Sequence, residues 1–360
     1  MNLSQGGASV IITRGNRDTI RSAQGTPGVP PLGVPYAKTD DLLERAARRM
    51  EPKVAAAFRA AVDRIRASLD IGKLTDLFEK GDVKAAMTLL RTSMALPPEQ
   101  QAALQDALRS MFAATARPAV AEIGYSFNLV NPVAVKFAAE RSSSLISGIG
   151  ENLPEMRAVI ARGIKEGIGP RVLARQVEQL VGLLPVQTGM VSRYYAGRVA
   201  AGMTPERASV MTARFAAKLL RRRAVTIARH ETIHAGVQGR LEAWRQGIKE
   251  GFIDPSVTVV IWRTGKDDRV CSICAPLEGA TISIEGGSFD TTSNSEAAQA
   301  ARVKAGAPPV LSEKVRLSQQ KMGFARVEGP TAHIMCRCGV SRKSFHTVAE
   351  TQEVLARGYL

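Results

Sequence analysis

All four cysteines of this chain sit in two tight pairs toward its C-terminal end, Cys271 with Cys274 and Cys336 with Cys338. His333 stands three residues ahead of the second pair. A turn over C-x-x-C can aim two sulfurs at one tetrahedral ion, and zinc accepts mixed cysteine and histidine sets. In an extended segment residues two apart share a face, so Cys336 and Cys338 can point the same way. The spacing predicts a structural zinc site with Cys271, Cys274, His333, Cys336 and Cys338 as candidate ligands. Tetrahedral zinc has room for four, so one of the last three is spare. Disulfides and unliganded thiols are the competing readings, but a chain made in the cytosol keeps its thiols reduced. A catalytic cysteine is not expected, because the nearby histidine belongs to the same cluster and no Asp or Asn follows it in a recognisable order.

Ahead of the cysteines the pattern is helical. From Thr39, apolar residues recur at three- and four-residue steps through Leu43, Met50, Phe58, Val62 and Leu69, and Pro52 is expected to break or kink that run. Asn131 with Pro132 reads as a cap and first position, as do Thr204 with Pro205. The stretch from Pro205 to Glu250 is one long helix or two in sequence, with Ile227, Ile233, Val237, Leu241, Trp244 and Ile248 as its apolar stripe. Its Arg221-Arg222-Arg223 run reads as a solvated basic face, with acidic partners or DNA as the alternative. The period then changes. Val257–Trp262 and Thr281–Ile284 read as strands around a turn at 264–268, residues 285–307 as an exposed loop, Ser312–Met322 as a short helix, and Phe345–Leu355 as another.

The expected fold is therefore mostly α: an extended helical region followed by a small α+β C-terminal module built around zinc. Residues 1–37, rich in Gly and Pro with few large apolar side chains, form a flexible arm. The helical region covers 38–253, the Cys/His module 254–345, and a helix or tail 346–360. No run of eighteen apolar residues exists and the N-terminus has no secretory pattern, so no membrane partner is expected. The net charge of +16, from 49 Lys+Arg against 33 Asp+Glu, favours a polyanion nearby, either nucleic acid or an acidic protein surface.

His230-Glu231-Thr232-Ile233-His234 spells H-E-x-x-H on a helix. In zinc hydrolases that spelling supplies two ligands and a base. A third ligand is missing here: Val237 and Arg240 occupy the positions of the extended form, and only Glu250 or Asp254 lies in range of the other. The motif is read as coincidental, and the chain as not an enzyme.

These stretches resemble the phage minor head protein family, also called the phage Mu protein F-like or head morphogenesis family, over roughly residues 120–345. The resemblance rests on Phe127-Asn-Leu-Val-Asn131-Pro132, Val181-Gly182-Leu183 with Gln187, Tyr194 with Gly202, Arg222-Arg223-Ala224, and Ile227-Ala228-Arg229-x-Glu231-Thr232. Its most specific parts are Trp262-Arg-Thr264-x-x-Asp267-Asp268-Arg269-Val270-Cys271-x-x-Cys274 and Pro330-x-x-His333-x-x-Cys336-Arg337-Cys338. The segment from Cys274 to His333 is longer than usual for the family, and Ile334-Met335 replaces a common Pro-Asn. The resemblance implies a capsid-assembly role: a structural minor head protein inside the virion head near the portal vertex, made in the host cytoplasm. Head morphogenesis would need it, and genome packaging or ejection are further roles. The portal protein is the implied partner, with scaffold, major capsid protein and packaged DNA as others. A zinc-dependent hydrolase at 230–234 and a DNA-binding protein of the packaged genome are the alternatives.

Overall fold

The computed structural model describes residues 41–96, 101–121, 126–127, 131–264, 270–304, 308–333, 336 and 338–359. The expected arm at 1–37, the caps at Thr39 and Asp40, the Pro97-Pro98 start and most of the 264–268 turn lie outside them. The chain is mostly helical with a small C-terminal strand module, as expected.

One helix organises the molecule. Pro205–Lys249 is continuous, and at about 1.5 Å per residue it is roughly 67 Å long. Thr204 Oγ1 accepts from Arg207 N to start it, and Gly251 in the left-handed region ends it. Ahead of it in the chain run α1 (Asp41–Ser68), α2 (Ile71–Glu79), α3 (Val83–Ser93), α4 (Ala102–Ala121) and α5 (Pro132–Ser147). Then come α6 (Leu153–Lys165), α7 (Pro170–Leu180) and α8 (Pro185–Ala200), so the long helix is α9.

Contrary to expectation, α1 continues through Pro52. A helix-interior proline costs about 3 kcal/mol through its missing N–H and its clash with the preceding turn. Here Val54, Phe58, Val62 and Ile65 are all fully buried beyond it. Burying side chains of that size is worth about 1.5–3 kcal/mol each, so packing outweighs the proline. Pro118 is carried inside α4 in the same way.

α9 lies across two apolar cores. Its first half packs Ala216, Leu220, Ala224 and Ala228 with Phe58, Leu74, Leu90, Met156 and Leu173. Its second half packs Ile233, Val237, Leu241 and Trp244 with Leu43, Met50, Met111 and Phe112. That second core continues into Val260, Trp262 and all four cysteines. Close approach of α4 to α9 rests on Gly236 and Gly239: Thr115 Oγ1 donates to the Gly236 carbonyl at 2.7 Å.

After α9 come β1 (Thr258–Arg263), β2 (Thr281–Ser283) and β3 (Phe289–Asp290). There follow α10 (Glu296–Lys304), α11 (Glu313–Lys321), β4 (Arg326–Val327), β5 (Gly339–Ser344) and α12 (Val348–Arg357). β1 is the centre of an antiparallel sheet ordered β2-β1-β5, with Val260 opposite both Ile282 and Arg342, and Trp262 opposite Val340. β3 pairs with β4 separately.

Two further sequence expectations are corrected in the C-terminal module. The stretch expected as an exposed loop at 285–307 carries β3 and α10 over its described residues 285–304, with Ala298 and Arg302 fully buried. Its polar composition hides this, because beside Phe289 the other large buried side chain is an arginine. The last helix starts at Val348 rather than Phe345. β5 runs on to Ser344, and a Thr347/Glu350 capping box sets the new start.

Candidate metal centre

The first cysteine pair sits on a tight turn. Cys274 N and Ala275 N both donate to the Cys271 carbonyl, at 3.1 and 2.9 Å. β1 leads into this turn and the return to β2 is tied back to it, since Trp262 N donates to the Ala280 carbonyl at 2.8 Å. The second pair immediately precedes β5, which is hydrogen-bonded to the other edge of β1. The two pairs, 62 residues apart between Cys274 and Cys336, are thus delivered from opposite edges of one strand.

All five predicted residues come together and are buried. His333 Nε2 lies 3.1 Å from Cys271 Sγ and 3.2 Å from Cys274 Sγ. Cys274 Sγ lies 3.8 Å from Cys336 Sγ, and the four sulfurs are free thiols. Cys271, Cys274 and His333 form one group whose ligand atoms are mutually within 4.8 Å, and Cys274, Cys336 and Cys338 form another. With Zn–S near 2.3 Å and Zn–N near 2.0–2.1 Å, a tetrahedron has S···S edges of about 3.8 Å and S···N edges of about 3.6 Å. The Cys274–Cys336 separation already matches, and the histidine contacts need only a few tenths of an ångström of opening. The residues could hold a metal ion.

Their electrostatics point the same way. Cys271 is held well below the ordinary thiol range, first by its hydrogen bond with Cys274 and, against burial, by His333. Cys274 is pushed well above that range, first by sharing a proton with Cys271 and then with Cys336 and Cys338. At Cys336 burial works upward, but hydrogen bonds with Cys274 and Cys338 and the charge of His333 prevail, and it falls well below. Burial opposes a charge on His333, yet the neighbouring sulfurs of Cys271 and Cys336 lift it well above its usual value. Four buried sulfurs cannot all ionise against one imidazolium. A divalent cation removes that conflict, because thiolate ligands bind it in the ionised form.

Several residues that position this cluster carry no sequence signal of their own. Arg302, fully buried on α10, donates from Nε to the Ser272 carbonyl inside the Cys271–Cys274 turn at 3.0 Å. Its other nitrogens bond Asn294 Oδ1 and Pro309 O, each at 3.0 Å, and Ser293 O. Gln319 of α11 donates to the Ala332 carbonyl beside His333 at 2.6 Å. Tyr359 Oη donates to the Pro276 carbonyl at 2.7 Å, pinning the C-terminal tail against the same turn. Arg302 and Gln319 both belong to the long segment between Cys274 and His333.

The H-E-x-x-H stretch does not assemble a metal site. Arg141 grips Glu231 with two hydrogen bonds, Nε to Oε2 at 2.9 Å and Nη2 to Oε1 at 2.5 Å. His234 packs edge-on against Phe137 with centroids 5.2 Å apart, and His230 packs against Phe324 at 6.0 Å. Among the described residues, every group of three or more potential metal ligands lies in the cysteine cluster.

The remaining motif residues are braces. Asn131 caps α5 by accepting from Val133 N at 2.7 Å and donates to Glu242 Oε1 at 2.7 Å. Arg223 is buried rather than solvated, bonding the carbonyls of Gly182 at 2.9 Å and Gly148 at 3.0 Å. Gly182 takes φ +80°, and a Cβ there would press on Val62. Gln187 Oε1 accepts from Leu184 N, and Tyr194 stacks on Phe215 at 4.8 Å.

The family profile described as phage Mu protein F like protein matches residues 155–341, just over half of the chain. The chain belongs to the phage Mu protein F-like family. The match takes in α6 to β5, so it covers the long helix and every cysteine. No curated protein and no solved structure matches the chain. Membership makes it a phage head morphogenesis protein. Among the described residues no helix is long and apolar enough to cross a membrane.

Proposed function

We propose that this Mu F-like protein is a minor head component at the portal vertex, inside the virion, whose C-terminal module is held by one structural zinc ion. The observation that carries the zinc assignment is the convergence of four buried thiols and one imidazole at spacings suited to a tetrahedron. We assign Cys271, Cys274, His333 and Cys336 as the ligands. His333 Nε2 lies against the sulfurs of Cys271 and Cys274, and Cys336 joins Cys271 in raising its affinity for a proton, so we take Cys338 as the spare. Bound zinc would supply cross-linking, joining the turn after β1 to the segment before β5; the thiols and imidazole contribute shape and no reaction.

Family membership supports the head assignment, and the portal, with scaffold and major capsid protein as further neighbours, is the partner it favours. The net charge of +16 supports contact with packaged DNA through salt-dependent phosphate neutralisation. The hydrolase reading loses support from the Arg141–Glu231 pair, because a carboxylate held by two donors is not free to activate water. Cross-linking of purified heads tests the address: products joining this chain to the portal protein are expected. Products joining it only to major capsid protein throughout the shell would overturn it.

A further inference from the structure

Away from the cysteine cluster, α3 stands as a ridge between two open grooves. Lys84, Thr88 and Arg91 lie along its crest at steps of four and three residues, so they share one helical face. On one side, toward the start of α6, a groove of about 550 Å³ is floored by Met87, Leu153 and Pro154 and edged by Arg157. On the other side, toward α2, a groove of about 530 Å³ is floored by Leu77, Ala85 and Leu89 and edged by Lys73. Lys84 and Thr88 line both.

Four exposed cations, Lys73, Lys84, Arg91 and Arg157, therefore ring an apolar surface. None of them makes an ion pair with a described residue. The acid that lines the grooves, Asp82, is committed to capping α3 by accepting from Ala85 N at 2.9 Å. Uncompensated cations beside apolar floors leave two needs unmet. A phosphate backbone would answer the charge and leave the apolar floors wet. A polypeptide carrying both carboxylates and apolar side chains answers both.

We propose that the α3 ridge docks an acidic amphipathic helix of a partner protein. Lys84 and Arg91, two helical turns and about 10 Å apart, set the spacing: the partner carries carboxylates seven residues apart on one face, flanked by apolar side chains that enter the grooves. This mode is helix-in-groove recognition, with charge setting register and apolar side chains supplying affinity. It is independent of the metal and of the portal assignment.

The test uses the full chain and a labelled 21-residue helical peptide with Glu at seven-residue spacing and Leu beside it. A scrambled peptide of the same composition and a 20-base-pair duplex run alongside. Binding of the patterned peptide is expected, at least tenfold weaker in the Lys84→Glu/Arg91→Glu variant. It should be unchanged in a Lys218→Glu/Arg221→Glu control on the exposed side of α9. A Lys84→Ala/Arg91→Ala variant with wild-type melting behaviour guards against misfolding and should also lose binding. Equal binding of the scrambled peptide, or no peptide binding at all, overturns the proposal. Binding of duplex but not peptide, lost in the same variant, overturns it in favour of a nucleic-acid surface.

Discussion

Arg141 of α5 and Glu231 of α9 form a two-pronged ion pair in which the carboxylate is almost fully buried and the guanidinium keeps access to solvent. The pair joins α5 to the middle of the long helix at the position where a hydrolase would need a free base. The two partners are therefore unequal. Arg141→Ala strands a buried carboxylate and should cost about 3–5 kcal/mol. Glu231→Gln keeps hydrogen-bonding capacity and releases an arginine that can turn to water, so a smaller loss of about 1–3 kcal/mol is expected. Denaturant unfolding of the two variants measures the difference. A Glu231→Gln protein of full stability that has lost a measurable hydrolysis would reverse the structural reading.

What was legible in the sequence follows from what carries a local pattern. Caps at Asn131 and Thr204, the apolar stripe of α9 and the β-branched run of β1 are short-range signals, and each element stands within a residue of where its signal placed it. Each cysteine pair was readable for the same reason, while the meeting of the two pairs depends on β1 pairing with both β2 and β5. Arg302 was illegible because an arginine in a polar stretch normally faces water. It is buried here only because carbonyls from three separate segments converge on it. Pro52 misled because a proline's local cost says nothing of the core that outweighs it. Arg223 misled likewise: its two neighbours in the basic run are exposed, and its carbonyl partners lie 41 and 75 residues away.

Acid should destabilise the fold through the paired histidines of α9. Burial first of all pushes His234 down to about 4, with Arg141 and His230 adding to the shift and Glu231 opposing it. Burial lowers His230 as well. The unfolded chain binds these protons near pH 6.5, so below that pH it holds more protons than the folded one. Stability then rises with pH through this window. It is complete above about 6.5 and falls as pH drops toward 4, by about 3 kcal/mol for His234. A His234→Phe variant, which keeps the contact with Phe137, should lose that share of the slope. Urea midpoints at pH 7, 6 and 5 for both proteins check it; identical slopes would reject the burial account.

Zinc analysis of the purified chain should give one ion per molecule. Cys271→Ser, Cys274→Ser, His333→Ala and Cys336→Ser should each lose it, and Cys338→Ser should retain it. The cysteines belong to the same apolar core as Met50, Phe112, Val237 and Trp244. Chelation should therefore loosen more than the strands. Near-ultraviolet signals of Trp262 in β1 and Trp244 in α9 are both expected to change, with most helical signal kept. A Cys338→Ser protein without zinc, beside a His333→Ala protein with it, would exchange the two residues' roles.

Arg302 should matter to the metal without touching it. Arg302→Met keeps the bulk but leaves the carbonyls of Ser272, Ser293 and Pro309 without their donor. These carbonyls belong to residues that keep some contact with solvent and can turn partly to water, so a loss of about 1–3 kcal/mol is expected. The Ser272 carbonyl lies within the Cys271–Cys274 turn, and supports of this kind are typically worth about 10–100-fold in metal affinity. Competition with a chromogenic chelator should show at least a tenfold drop. An unchanged affinity in a destabilised protein would separate Arg302 from the site.

Gly239 and Gly197 offer opposite outcomes for the same substitution. Replacing a helical glycine by alanine ordinarily gains about 1 kcal/mol, because the backbone of the unfolded chain is less free. At Gly197 in α8 a Cβ would meet nothing within 4 Å, so Gly197→Ala should stabilise by about that amount. At Gly239 the Cβ would fall on the backbone carbonyl of Phe112, with Thr115 Oγ1 also only 2.8 Å away. A backbone oxygen cannot rotate aside, so α4 and α9 must separate across the second core. Overpacking of that kind costs about 1–3 kcal/mol and cancels the propensity gain. Gly239→Ala should melt at a lower temperature than wild type and Gly197→Ala at a higher one. Equal shifts would mean that the α4–α9 crossing is looser than its geometry indicates.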